Sequence, residues 1–412
     1  MPLSYRVVAH ALMIIAAPAA SAAAQRTPPR SIPPAAWRDF THLFDAQADS
    51  DGIVGSAVRV LCDGRPLAHH EHGWADRARR VPVTERTLFH YASITKTMTA
   101  IAIMQLRERG RLSLDDRIVK YLPELRAVHD PYGAMDSVTL AMLLSHSSGF
   151  QNGTWPYGRG RAWEPFEPTT WNQLVAMMPY QELLFRPGAR YGYSNPGYSY
   201  LGRVIEQLSG DPWETYVQKN VLSPLGLVHS YFGVTPYYLA ANRSHNYEIH
   251  RDSSTGRDTV IDNGADFDPG ITIPNGGWNG PLTDVERYLA FLTGASRGDT
   301  ALARLHDTVL PRRVLEEMWH PRLPTNSAGT TRGSVDESIG LSFFVLKRGA
   351  STFVGHTGGQ AGFTSFVYLN PANSCAVAAA FNTLGAPQGR KPGTAFQVIR
   401  EAALRLIDSR AE

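Results

Sequence analysis

Ser93 and Lys96 stand three residues apart in "FHYASITKTMTAIAIMQLRERG", at the point where a helical pattern begins. A serine there sits among backbone N–H groups that lack intrahelical partners, at the positive end of the helix dipole. A lysine one turn on shares its face. Burying that face strips water from the ammonium and lowers its pKa, which makes the amine a base for the hydroxyl. Tyr91, Ala92, Ile94, Met98 and Ile101 are apolar or small, and suit burial. Alone the pair reads equally well as a helix cap and a surface charge, because S-x-x-K is common by chance.

Two further segments carry candidate chemistry. In "FRPGARYGYSNPGYSYLG", Tyr193, Ser194 and Asn195 lie in a Gly- and Pro-rich turn ahead of a helix. A phenol near a lysine can pass protons during acyl transfer, and an amide offers both a donor and an acceptor. In "VGHTGGQAGFTSFVYLNP", His356, Thr357, Gly358 and Gly359 interrupt a strand-like pattern. Glycines in a strand mark close approach of a ligand or another backbone. A strand edge beside a nucleophile supplies a backbone N–H to a developing oxyanion. A structural Tyr-rich turn and a hairpin bend are the plainer readings of these two segments.

These groups need elements to hold them. Trp37, Phe40, Leu43 and Phe44 fall at helical spacing, and "IVGSAVRVLCDGRPLAHHEHGWA" reads as two strands turning at Asp63-Gly64. Helices are expected at 94–109, 139–144, 170–184 and 196–208, and another capped by Asp211 ahead of Pro212. Thr283 and Glu286 suggest a capping box for "DVERYLAFLTG", closed by Gly294. Three strand patterns and a final helix follow. The expected fold is α+β: one antiparallel sheet built from both chain ends (about 50–75 and 335–385), with a mostly helical region inserted over about 93–295.

The three motifs, in this order, resemble the serine β-lactamase and penicillin-binding family, closest to its class C-like branch. "LSLDD" with "YLPEL", "VTLAMLLSHSSGF", "YLGRVIEQLSG" and "VLSPLGL" look like further landmarks, so the resemblance covers most of the chain after its leader. It implies Ser93 as the acylated nucleophile, Lys96 as its proton-transfer partner and Tyr193 as general base. It implies Asn195 orienting Lys96 and the substrate amide, with the N–H groups of Ser93 and Gly359 as the oxyanion hole. His356, Thr357 and Gly358 would line the substrate. Which of Lys96 and Tyr193 takes the first proton stays open. Class C enzymes carry lysine where this chain has His356, so hydrolysis of a neutral ester or amide is the expected activity. The alternatives are a β-lactamase, a peptidase acting on D-amino acids, and a binding or sensing module that acylates without turnover. The family-like sheet also makes the strands of Cys62 and Cys375 antiparallel neighbours, so that these two cysteines pair. Two free buried thiols are the alternative.

The rest of the sequence sets bounds. The 412 residues are 43% hydrophobic and 19% charged, with a formal charge of +3, too small to argue for nucleic acid or an anionic membrane. Residues 1–24 have the form of a cleaved secretory signal, with Arg6, an apolar stretch and small residues near Ala22. The mature chain, 25–412, is therefore expected to be one hydrolase domain, secreted or periplasmic, without a stable membrane anchor. Its expected partner is a small ester, amide or peptide. No cofactor or metal is expected: His70 and His72 share a strand face without an evident further ligand, and "DAQADSDG" lacks the spacing of a calcium loop. Trp155, Tyr157, Trp163, Trp171 and Trp278 read either as packing or as an aromatic wall for the substrate.

Overall fold

The computed structural model describes residues 31–153, 168–294, 299–326 and 336–408. Asp63 and Gly64 both take positive φ (50° and 70°), as a two-residue hairpin turn requires, and join the strands Gly55–Cys62 and Arg65–Asp76. These join the C-terminal strands in a nine-stranded sheet. Its order is Val81–Pro82, Arg65–Asp76, Gly55–Cys62, Cys375–Phe381, Phe363–Asn370, Ser351–Gln360, Phe344–Arg348, Asp336–Ile339 and Leu323–Pro324. Every neighbouring pair is antiparallel. The α+β fold and the sheet made from both ends of the chain are as expected. Gly55–Cys62 and Cys375–Phe381 pair from Ser56↔Phe381 to Cys62↔Cys375, and the two cysteines form a disulfide.

Each face of the sheet has its own cover. Helices Pro34–Ser50 and Thr394–Asp408 lie on the back, where Phe40, Phe44, Ile399 and Leu404 pack on Val58, Phe366 and Phe381. Asp51, just past the first helix, accepts the Ala395 N–H (2.7 Å) and pairs with Arg390, which ties the two helices together. On the same side His70 Nε2 and His72 Nδ1 both meet Asp45 Oδ1, at 2.7 and 3.1 Å.

The front is covered by the helical region. Helix Thr95–Glu108 is buried at every position from Thr95 to Leu106, so it is the hub of the larger core rather than an amphipathic cover. A three-stranded sheet places Trp278–Pro281 between Leu88–Ala92 and Tyr231–Phe232. Its His90↔Asn279 register brings the chain before Ser93 beside the chain after Asn275.

Several helix ends differ from the sequence reading. The helix expected over 170–184 ends at Met177, because Pro179 allows only a 3₁₀ turn beyond it. A capping box does form, but at Thr170 and Gln173. The helix Leu282–Thr293 starts after Pro281 without a side-chain cap, while Glu286 turns to Arg59 (3.2 Å); Gly294 closes it at φ 69° as expected. In Trp213–Val217 the first N–H goes to Glu206 from the preceding helix (3.3 Å), and Asp211 instead holds Lys219.

Candidate active site

Ser93 occupies a sharp strand-to-helix turn. Ala92 sits at φ 48°, a left-handed conformation that a side chain rarely takes, and the turn is held from both sides. Thr95 Oγ1 donates to the Ala92 carbonyl (2.6 Å) and accepts the Trp278 N–H (2.9 Å). One turn on, Lys96 is fully buried. Its Nζ lies 3.0 Å from Ser93 Oγ and donates to the Asn275 carbonyl at 2.7 Å. Desolvation is the one cause acting on the amine, and it drives the pKa well below the ordinary lysine value.

Tyr193 precedes the helix Asn195–Ser209, whose cap Ser194 accepts the Gly197 N–H (3.3 Å). Its ring centroid is 5.1 Å from Lys96 Nζ, and Tyr198 faces the same amine at 5.6 Å. Burial raises the Tyr193 phenol well above its usual pKa, and a hydrogen bond with Ser93 only partly offsets this. Burial therefore disfavours the charged form of both the amine and the phenol. Such a pair can take the serine proton on nitrogen and hand it on through the phenol.

The third motif runs along the strand Ser351–Gln360. Its partner Phe344–Arg348 pairs only as far as Gly355, so beyond that point the strand leaves that side of its ladder unpaired by it. A Cβ on Gly358 would come within 2.1 Å of the Tyr91 carbonyl, which makes glycine obligatory at this crossing. Gly359 meets no atom within 4 Å at the corresponding position and fronts the cleft. His356 is buried; its Nδ1–H donates to the Thr357 carbonyl (2.5 Å), leaving Nε2 an acceptor with no partner among the described residues. Burial first, and the Lys96 charge second, lower its pKa to about 3.

A cleft of about 630 Å³ unites these groups, with Ser93, Tyr193, His356, Thr357, Gly358 and Gly359 in its lining. Asn195 is placed otherwise than expected. Its amide donates to Asn152 Oδ1 (3.0 Å), and Asn152 rather than Asn195 lines the cleft. The second partner of Lys96 is the Asn275 main chain. A carbonyl has no sequence signature. Aromatic rings at the cleft come from Tyr191, Tyr193, Phe344, Tyr368 and Phe396. Trp278 is core, against Tyr91 at 4.7 Å, and Trp171 donates to Glu124 (3.0 Å). Trp155, Tyr157 and Trp163 lie outside the described residues, as does the expected leader. Among the described residues no helix is long and apolar enough to cross a membrane.

With that geometry in hand, a family model described as Beta-lactamase matches residues 40–400. The chain belongs to the β-lactamase family. Among curated relatives, a putative penicillin-binding protein, PbpX of Bacillus subtilis, is 32% identical over 181 residues, 44% of this chain and 42% of that protein. Protein flp of Staphylococcus aureus is 26% identical over 185 residues, 45% of this chain and 36% of its own. The matches thus span less than half of either relative. Among solved structures, an octameric penicillin-binding protein homologue from Pyrococcus abyssi superposes with a TM-score of 0.71 at 26% identity, covering 90% of this chain and 77% of that one. D-amino acid amidase from Ochrobactrum anthropi gives 0.71 at 21% identity over 90% and 98%. That second likeness bears on the fold.

Proposed function

We propose that this β-lactamase-family protein is an exported serine hydrolase that cleaves an ester or amide through an acyl-enzyme on Ser93. The observation that carries the reading is Lys96: a fully buried amine, 3.0 Å from Ser93 Oγ, held by a carbonyl rather than a carboxylate. Ser93 gives its proton to the Lys96 amine as Oγ attacks the substrate carbonyl carbon. The N–H groups of Ser93 and Gly359 receive the developing oxyanion. The tetrahedral species collapses, and the proton on Lys96 passes through the Tyr193 hydroxyl to the leaving alcohol or amine. Water then enters by the reverse proton path and releases the acid. Lys96, rather than Tyr193, is the first proton acceptor in this scheme, because burial favours neutral amine and disfavours phenolate.

His356 directs the substrate reading. It is neutral at every pH above about 3, so the place where a lysine would attract a substrate carboxylate offers an acceptor nitrogen instead. Neutral esters and amides, and amides of D-amino acids, which carry no carboxylate, fit that chemistry better than anionic lactams. The name of the Bacillus relative supports the second reading, a protein that acylates without turnover. Intact-mass analysis during reaction with a p-nitrophenyl ester separates them. A transient acyl adduct with steady product release is expected; a stoichiometric burst that ends with a permanent adduct establishes the second reading. An adduct that persists in Ser93→Ala removes the nucleophile from Ser93.

A further inference from the structure

His146 sits in "LLSHSSGF", 47 residues ahead of Tyr193, and is fully buried. It grips the tyrosine loop at three points. Its carbonyl accepts the Gly192 N–H at 2.7 Å, and its ring Nδ1 accepts the Ser194 N–H at 3.1 Å. Between those two anchors the imidazole stacks on the Tyr193 ring, with centroids 4.2 Å apart and planes 30° from parallel. Tyr198 also flanks the imidazole, with centroids 5.1 Å apart, and its hydroxyl donates to the Leu144 carbonyl (2.8 Å). His146 itself is held at φ 52°, a conformation that asparagine tolerates and most residues avoid. With Nδ1 accepting, Nε2 carries the hydrogen, and that N–H has no partner among the described residues. Leaving a buried N–H unmatched is costly, so the ring is held there by what its other edge and its face do.

We propose that His146 is the positioning residue for Tyr193: it clamps the backbone on both sides of the tyrosine and packs its ring, and so aims the phenol at Ser93 and Lys96. This rests on the acyl-enzyme reading above. Binding of substrate does not need the clamp; proton transfer through a correctly placed phenol does. The loss therefore falls on kcat and leaves KM nearly unchanged.

The test is a double-mutant cycle on the acylation rate with a p-nitrophenyl ester, each rate normalised to sites titrated by a fluorophosphonate. His146→Phe keeps a ring and removes the Nδ1 acceptor. His146→Asn keeps an acceptor and tolerates the backbone, and it serves if the Phe variant does not fold. Each is expected to slow acylation about 10- to 100-fold in the wild-type background. In Tyr193→Phe, which lacks the hydroxyl to be aimed, either change should cost less than about twofold more. Equal losses in both backgrounds, or a wild-type rate per titrated site, overturn the proposal. If the wild-type protein forms no Ser93 adduct at all, it is the acyl-enzyme reading that fails.

Discussion

The two faces of the nine-stranded sheet are packed for different ends. On the back, Phe40, Phe44, Phe366, Phe381 and Phe396 interlock with the terminal helices, and Phe44 stacks on Phe381 at 5.8 Å. The front is just as buried, yet it encloses Lys96, His90, His146 and His356. Desolvation lowers the pKa of all four. A core that keeps polar groups uncharged trades stability for reactivity, whereas the back face trades nothing. The sheet between them supplies rigidity to both.

The largest test of that contrast is Lys96→Met. It removes the proposed proton acceptor, and kcat/KM for an ester should fall by about 10⁴-fold or more, the scale seen for residues acting as one catalytic unit. Because an amine buried below its ordinary pKa costs stability at neutral pH, the thermal midpoint should hold or rise. A midpoint drop of many degrees in calorimetry would show that the front core relies on the amine. The mirror experiment is Phe44→Ala on the back. A cavity in that packed cluster should cost about 3–5 kcal/mol by denaturant titration, with kcat per titrated site unchanged. Loss of kcat per site would mean that the two faces are not separable.

Acid separates the faces by a second route. His90 (pKa lowered to about 4), His356 (lowered to about 3) and His146 (lowered well below the ordinary histidine value) all titrate lower in the folded state than in the unfolded chain, near 6.5. Their stability contribution is intact above pH 6.5. It is lost as pH falls toward 4 and 3, because the unfolded chain takes up protons first. Each contributes a slope of up to about 1.4 kcal/mol per pH unit in that window. Equilibrium unfolding from pH 7 to pH 4 should show this slope, and His356→Asn should flatten it; an unchanged slope in that variant takes His356 out of the account. The smallest effect sharpens substrate choice. His356→Lys should shift the ratio of kcat/KM toward a chromogenic cephalosporin over a neutral ester by about 1 kcal/mol, roughly tenfold. If the wild-type protein already prefers the cephalosporin, the neutral-substrate reading is replaced.

Local spacing made part of this legible in the sequence. Ser93 and Lys96 lie one helical turn apart, so their types and separation sufficed to place them together. The antiparallel sheet followed from alternating strands at both ends. What stayed hidden depends on main-chain geometry or distant pairing. Asn275 acts by its carbonyl, which any residue carries. His146 acts on Ser194 across 48 positions, and its motif showed only that the segment was a landmark. Asn195 pointed correctly to the region but not to its partner, since the helix start turns its amide to Asn152. Thr283 and Glu286 matched a capping pattern that a buried partner, Arg59, outcompeted.

The disulfide joins Cys62 to Cys375 across 313 positions, and so makes the chain between them a covalent ring. Ser93, Lys96, Tyr193 and the whole strand Ser351–Gln360 lie inside that ring, while helices Pro34–Ser50 and Thr394–Asp408 lie outside it. A protease that cuts once anywhere in the helical region therefore opens the ring without releasing a fragment. On a non-reducing gel the nicked protein should run as a single species, and split in two only when a thiol is added.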